Sequence, residues 1–191
     1  MLALSDEQKI AYDEFMCTEY AKRFMFYQPH AKQLLFHAAG LEAQERLITG
    51  GNRSGKTWSA EMEFSFHTTG IYPAWWNGYR FKEPITVWIV GKTTAVVTET
   101  VQRDLFGDFD QLRMPILHAS YLAGKPKRAG SSEMYRTVYI NHISGGKSKV
   151  TFKTFEEGRE GFQGSKVNLI LIDEEPPFNV YQECKMRLSL S

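Results

Sequence analysis

The chain has 191 residues, 42% of them hydrophobic and 24% charged. These figures fit one globular domain with its own core and exclude a disordered or fibrous chain. Lysine and arginine total 23 against 22 acids, so net charge alone announces no polyanionic partner.

The even balance hides a basic stretch: residues 121–155 carry a net charge of +6, while 1–45 and 156–191 each carry −3. Cys17 and Cys184 lie far apart with no Cys-x-x-Cys pair, which argues for a reducing compartment and against a disulfide framework or zinc site. Apolar runs are too short to span a membrane, and the N-terminus carries charges where a signal peptide needs apolar residues. The sequence therefore reads as soluble and cytoplasmic.

In chain order, Asp6 to about Lys22 has helical spacing with Ser5 as its N-cap, a predicted leader helix. A break at Tyr27-Gln28-Pro29-His30 precedes a second short helix over Ala31 to Ala39, stopped by Gly40. Arg46-Leu47-Ile48-Thr49 is a predicted strand entering a glycine-rich loop, and Lys56 to Thr69 is a helix ended by Gly70 and Pro73. After an aromatic loop (Tyr72, Trp75, Trp76, Tyr79), Ile85 to Val90 is a buried strand and Thr93 to Phe106 a helix. Residues 137–143 and 148–155 alternate as a hairpin around Ser144-Gly145-Gly146-Lys147, and Val167 to Ile172 is an apolar strand ending in Asp173-Glu174-Glu175-Pro176-Pro177.

Gly50, Gly51, Asn52, Arg53, Ser54, Gly55, Lys56 and Thr57 fit the phosphate-loop pattern G-x-x-x-x-G-K-[ST] between a predicted strand and helix. Glycine lets such a loop turn its N–H groups inward around a phosphate, and the helix N-terminus adds a favourable field. Lys56 then reaches the β- and γ-phosphates of a nucleotide, and Thr57 joins the coordination of Mg²⁺. The strand ending at Asp173 and Glu174 supplies two carboxylates, Asp173 for the metal and Glu174 to polarise an attacking water. The motifs together predict an α/β P-loop NTPase fold of the RecA-like class with an added catalytic glutamate. Its mostly parallel sheet is flanked by helices, with an N-terminal helical leader and a β-hairpin insertion. Residues 1–40 are the leader and base-binding segment, and 45–191 the phosphate-loop core of a single domain.

The stretches 50–57, Phe162-Gln163-Gly164, Leu171 to Pro177 and the upstream Tyr27-x-Pro-x-x-x-Gln33 resemble the ATPase motor domain of the large terminase subunit of tailed bacteriophages. The likeness runs from Tyr27 to Arg187. It implies an ATP- and Mg-dependent hydrolase that packages double-stranded DNA into a procapsid as a homo-oligomeric ring, with portal and small-subunit partners. The Gln33 amide can both donate to and accept from an adenine edge, and the resemblance gives it that contact. Tyr27 or Phe26 supplies a stacking ring. Arg53 matches the family's loop arginine and is the first candidate for stabilising transition-state charge, ahead of Arg159 and Arg187. A helicase-like DNA translocase, and a nucleotide-binding interaction module without turnover, are the competing readings.

The basic segment holds Lys125, Lys127, Arg128, Arg136, Lys147, Lys149 and Lys153 among Tyr121, Tyr135, Tyr139 and Phe152. Such residues suit sequence-independent contact with DNA phosphates. The five histidines show no ligand spacing and read as structural, and the aromatic loop reads as packing. The sequence beyond Asp173-Glu174 lacks the acid cluster of a metal nuclease, so no cutting activity is expected. In the resembled class a further strand, ending in a coupling motif, lies between the acidic strand and the phosphate-loop strand. It is expected to start about where the sequence reaches Leu188-Ser189-Leu190-Ser191. A sheet without that strand predicts weak nucleotide binding and little turnover.

Overall fold

A computed structural model of the chain describes residues 22–107, 115–128, 130 and 134–188. The leader helix expected over Asp6 to Lys22 lies outside the described residues except for Lys22, as does Cys17.

A 3₁₀ turn at Arg23–Phe26 leads to helix α1 (Ala31–Ala38), whose N-terminus is closed by a capping box between His30 and Gln33. Helix α2 (Lys56–Thr69) follows the glycine-rich loop and ends where Gly70 takes a left-handed φ of 71°. Strand β1 (Thr86–Gly91) follows the aromatic loop. Helix α3 covers 94–106 with a π-helical middle at Val97–Gln102. Strands β2 (Lys127–Arg128), β3 (Tyr135–Asn141), β4 (Lys147–Thr154) and β5 (Leu169–Ile172) precede helix α4 (Phe178–Arg187).

The five strands form one mixed sheet in the order β2-β3-β4-β1-β5. β1 pairs parallel with β4 and β5, while β3 is antiparallel to both β2 and β4, so four of the five strands run the same way. Alternation separates two faces. Val87, Ile89, Val138, Ile140, Val150 and Phe152 pack on one side with Met62, Phe64 and Phe66 of α2 and Val97, Val101 and Leu105 of α3. On the other side Trp88 and Val90 pack with Phe162, Val180 and Cys184.

One expected strand is absent from the sheet. Arg46 to Thr49 is unpaired, and Leu47 is 86% exposed. A strand needs a neighbour to take up its backbone groups, and none of the described strands runs beside this run. Arg46 is instead drawn to α1 and α2, donating to the Phe36 carbonyl at 2.8 Å and to Glu63 at 3.1 Å. β5 ends the sheet among the described residues. On its outer side, Leu188 bridges Val167 in parallel, with Val167 N–H donating to the Arg187 carbonyl at 2.9 Å. The chain leaving α4 thus meets Val167, two residues before β5 begins.

Candidate functional site

The glycine-rich loop is exposed over residues 51–54, and it is wound tightly enough to force unusual backbone geometry. Gly55 adopts φ 79° at the N-cap of α2. Arg53 holds φ 62° although it carries a side chain. The N-cap offers no side-chain hydrogen bond, so the first N–H groups of α2 face the loop mouth without a capping side chain, the arrangement that favours an anion. Lys56 folds over the loop and donates to the carbonyls of Gly50 and Gly51 at 3.0 and 2.9 Å.

The acidic strand end meets this helix start. Asp173 N–H donates to the Val90 carbonyl at 2.9 Å, continuing the β5 ladder one residue past the strand. Thr57 Oγ1 donates to Asp173 Oδ1 at 3.2 Å, joining residues 116 apart in sequence. Glu174 stands next to it, exposed, with φ 82°. Among the described residues the positive-φ positions without glycine are Arg53 and Glu174. Such a backbone costs a side-chain-bearing residue about 1–2 kcal/mol, and this kind of strain clusters at functional sites.

On the other side of the loop is a cleft of about 320 Å³ lined by Arg23, Phe26, Tyr27, Gln33 and Trp58. The Arg23 guanidinium lies 5.6 Å from the centre of the Trp58 ring. Gln33 is 5% exposed, and both ends of its amide are engaged. Oε1 accepts from His30 N–H at 3.0 Å, and Nε2 donates to the Gly55 carbonyl at 3.1 Å. The sequence reading offers this amide to a base; the structure also ties it to the glycine-rich loop. Tyr27 is buried, its hydroxyl hydrogen-bonded to Ser59 and His37 at 3.2 and 3.3 Å, whereas Phe26 stands 62% exposed. Phe26 therefore presents the more open ring face. Trp58 is a cleft residue that pattern reading passes over, although its position directly after Thr57 is a signal for it.

Behind the loop, Glu63 is a buried hub that the sequence reading misses. Its carboxylate accepts from His37 Nδ1 at 2.6 Å, His67 Nε2 at 3.2 Å and Arg46 Nη1 at 3.1 Å. Burial pushes its pKa up, but hydrogen bonds from His37, His67 and Arg46 outweigh it and hold the carboxyl well below its ordinary range. His67 also shares a hydrogen bond with the Tyr72 hydroxyl at 3.0 Å. These two histidines are structural, as the sequence reading expects, and the aromatic loop packs Trp75 and Trp76 against Phe66 and His37.

Several cations singled out in the sequence have acidic partners. Arg159 and Arg187 both pair with Glu183. In the basic segment, Arg136 pairs with Glu157. Lys153 is 6% exposed, donates to the Gly161 carbonyl, and sits 4.9 Å from the Trp88 ring centre and 5.0 Å from that of Phe162. Alternation brings Lys153 to the sheet face that the Arg159–Phe162 turn covers, which is why a lysine in a basic run ends up buried. Lys125, Lys127, Arg128, Lys147 and Lys149 remain exposed. Cys184 is buried, with burial pushing its thiol up to about 11. No group of three or more His, Cys, Asp or Glu suited to a metal occurs among the described residues. Nor do they include a helix long and apolar enough to cross a membrane.

With this geometry in hand, the chain can be set beside known proteins. A family model described as terminase large subunit, T4likevirus-type, N-terminal, matches residues 47–190. The terminase large subunit of Salmonella phage P22 is 31% identical over 204 residues, covering 94% of this chain and 41% of the relative. The chain thus spans well under half the length of that relative. No solved structure matches it.

Proposed function

Since this chain belongs to the terminase large-subunit family, within its T4likevirus-type N-terminal region, we propose that it is the ATP-hydrolysing part of a viral DNA-packaging motor. The observation that carries this reading is the Thr57–Asp173 hydrogen bond of 3.2 Å, which joins the loop helix to the acidic strand end. The position of Arg53 and Glu174 in left-handed backbone on either side of that contact supports it.

In this reading the chain has a P-loop ATPase fold of the RecA-like class, and the Gly50–Thr57 loop cradles the β- and γ-phosphates with its N–H groups. Lys56 leaves the carbonyls of Gly50 and Gly51 to take the phosphate charge. Gln33 keeps one N–H and a lone pair for the adenine edge, while its bond to Gly55 links base recognition to the loop. Thr57 and Asp173 offer a hydroxyl and a carboxylate, hard oxygens of the kind Mg²⁺ takes, and they are the residues that would hold it. The ion would neutralise phosphate charge. Glu174 orients the attacking water and accepts its proton, and Arg53 stabilises charge on the γ-phosphate. The expected setting is a homo-oligomeric ring in the host cytoplasm, with a portal and a small terminase subunit as partners and double-stranded DNA as cargo.

Titration with a fluorescent ATP analogue and Mg²⁺ tests this. The wild-type chain binds, Lys56→Ala loses at least tenfold in affinity, and Glu174→Gln keeps binding but releases no phosphate. Unchanged binding by Lys56→Ala overturns the reading.

A further inference from the structure

The sheet has one stretch of face that no described helix covers. Along β4, Ser148, Val150 and Phe152 point into the core while Lys147, Lys149 and Thr151 point away from it; along β3, Val138 and Ile140 point in and Thr137, Tyr139 and Asn141 point away. On this outer face, the packing of Phe162, Val180 and Cys184 reaches Trp88, Val90, Ile170 and Ile172 of β1 and β5. Lys153 lies at the border of that covered part. Beyond it, toward β2, no helix of the described residues lies on the face.

What the open part presents is positive charge, at positions set by the ladders up to a register shift between Lys127 and Arg128. Lys149 faces Tyr139 across the β3–β4 ladder and Thr86 across the β1–β4 ladder; Lys147 faces Asn141; Lys127 faces Thr137, which in turn faces Thr151. Lys147 and Lys149 are two residues apart on one strand, about 7 Å, and Lys127 stands two strands over and level with Thr151, about 12 Å from Lys149 and about 17 Å from Lys147. Lys127, Lys147 and Lys149 are exposed, and none of them pairs with a carboxylate of the described residues. Arg136 and Lys153 differ in sharing the Glu157 carboxylate, whereas Lys127, Lys147 and Lys149 have no acidic partner among the described residues.

We infer that this open face of β2, β3 and β4 is a docking surface for the phosphate backbone of double-stranded DNA, with Lys127, Lys147 and Lys149 as its contacts. Three cations without an acidic partner among the described residues, carried on hydrogen-bonded strands, match a rigid polyanion, and backbone contacts alone carry no sequence preference. The aromatic side chain on the face, Tyr139, is partly buried within it, so the surface lacks the protruding rings on which single-stranded bases stack. The duplex is accordingly the better fit. The inference deepens the packaging reading and rests on it for the identity of the polyanion. The surface itself is built from strands that contribute nothing to the Thr57–Asp173 site.

The test is fluorescence anisotropy of the full chain with a labelled mixed-sequence DNA duplex, run at several salt concentrations beside the ATP-analogue titration. Reversing all three charges (Lys127→Glu, Lys147→Glu, Lys149→Glu) is expected to lower duplex affinity at least tenfold. It should also reduce the slope of log affinity against log salt by about 3 and leave analogue binding unchanged. Lys149→Glu alone should lower affinity more than Lys166→Glu, an exposed lysine outside the face whose reversal changes net charge equally. Equal losses from those two single variants, or an unaltered triple variant, overturn the assignment. So does tighter binding of single-stranded DNA or of polyglutamate than of duplex. A wild-type chain that binds the analogue but no duplex overturns the surface and leaves the ATPase reading intact. Duplex binding lost in the triple variant by a chain that binds no analogue supports the surface while the ATPase reading fails.

Discussion

The two sides of the candidate site are held in different ways. The loop side hangs on α2, buried at Ser59 and at every position from Glu61 to Thr69, with Glu63 bonded to Arg46 ahead of the loop, His37 of α1 and His67 of α2 itself. The acid side hangs on β5, whose four residues are each half-buried, and on α4, which packs Val180 and Cys184 against the second face of the sheet but meets the segment before the loop through surface groups. A carboxylate in low dielectric fully matched by donors resists change, whereas exposed pairs are screened by water and salt. The segment before the loop is therefore held firmly to α2 and loosely to α4, with Thr57 and Asp173 as the contact where a shift between the two sides would register.

The strongest way to break that comparison is to remove the hub. Glu63→Ala leaves the Arg46 charge and two imidazoles without their acceptor, and loss of one partner from a buried ionic network costs about 3–5 kcal/mol. Chemical denaturation should show a loss of that size, and a loss under about 1 kcal/mol would mean that packing rather than the hub fixes the loop side. The same group gives a pH signature. Its folded pKa lies below the ordinary 4.5, so its contribution is complete above that value and fades as pH falls below it toward the folded pKa. The stability difference between wild type and Glu63→Gln should therefore shrink on acidification below about pH 4.5. A difference that keeps widening there would contradict the assignment.

A smaller effect sharpens the picture of how the Gln33 cleft joins the loop side. The Tyr27 hydroxyl bonds both Ser59 of α2 and His37 of α1. Tyr27→Phe keeps the ring and its packing and removes both bonds, a loss of about 1 kcal/mol. The thermal midpoint should fall modestly; an unchanged midpoint would show that the cleft stands apart from the loop side.

How much of this was legible in the sequence divides along the same line. Local signals held: Gly70 stops α2, and the turn at Ser144 to Gly146 joins β3 to β4. These depend on near neighbours and on spacing. Arg46 to Thr49 failed as a strand because strand formation depends on a partner, which a short apolar run does not specify. Glu63 was illegible for the opposite reason. The apolar spacing of Trp58, Met62 and Phe66 marks one buried face of α2, yet the helix is buried all round, and an acid on its far side reads as solvent-facing until His37 and Arg46 are seen to close over it. Lys153 shows the same limit, since the turn that buries it comes after it in the chain.

The smallest expected effect is on the acid side. Glu45 accepts from the Tyr181 hydroxyl and pairs with Lys185 at 3.0 Å, linking the segment before the loop to α4. Hydrogen bonds from Tyr181 and then Lys185 hold its carboxyl below the ordinary range. By position this contact resembles the Arg46–Glu63 pair, because each ties the approach to the loop to a helix. Its surroundings differ: the Glu45 and Lys185 side chains are 52% and 55% exposed, against 6% for Glu63. Water can replace each partner there, so Glu45→Gln should leave the denaturation midpoint unchanged at low and high salt alike. A drop comparable to that of Tyr27→Phe would mean that α4 is held as firmly as α2. The site would then have two rigid sides, and motion between them would have to come from the loop itself.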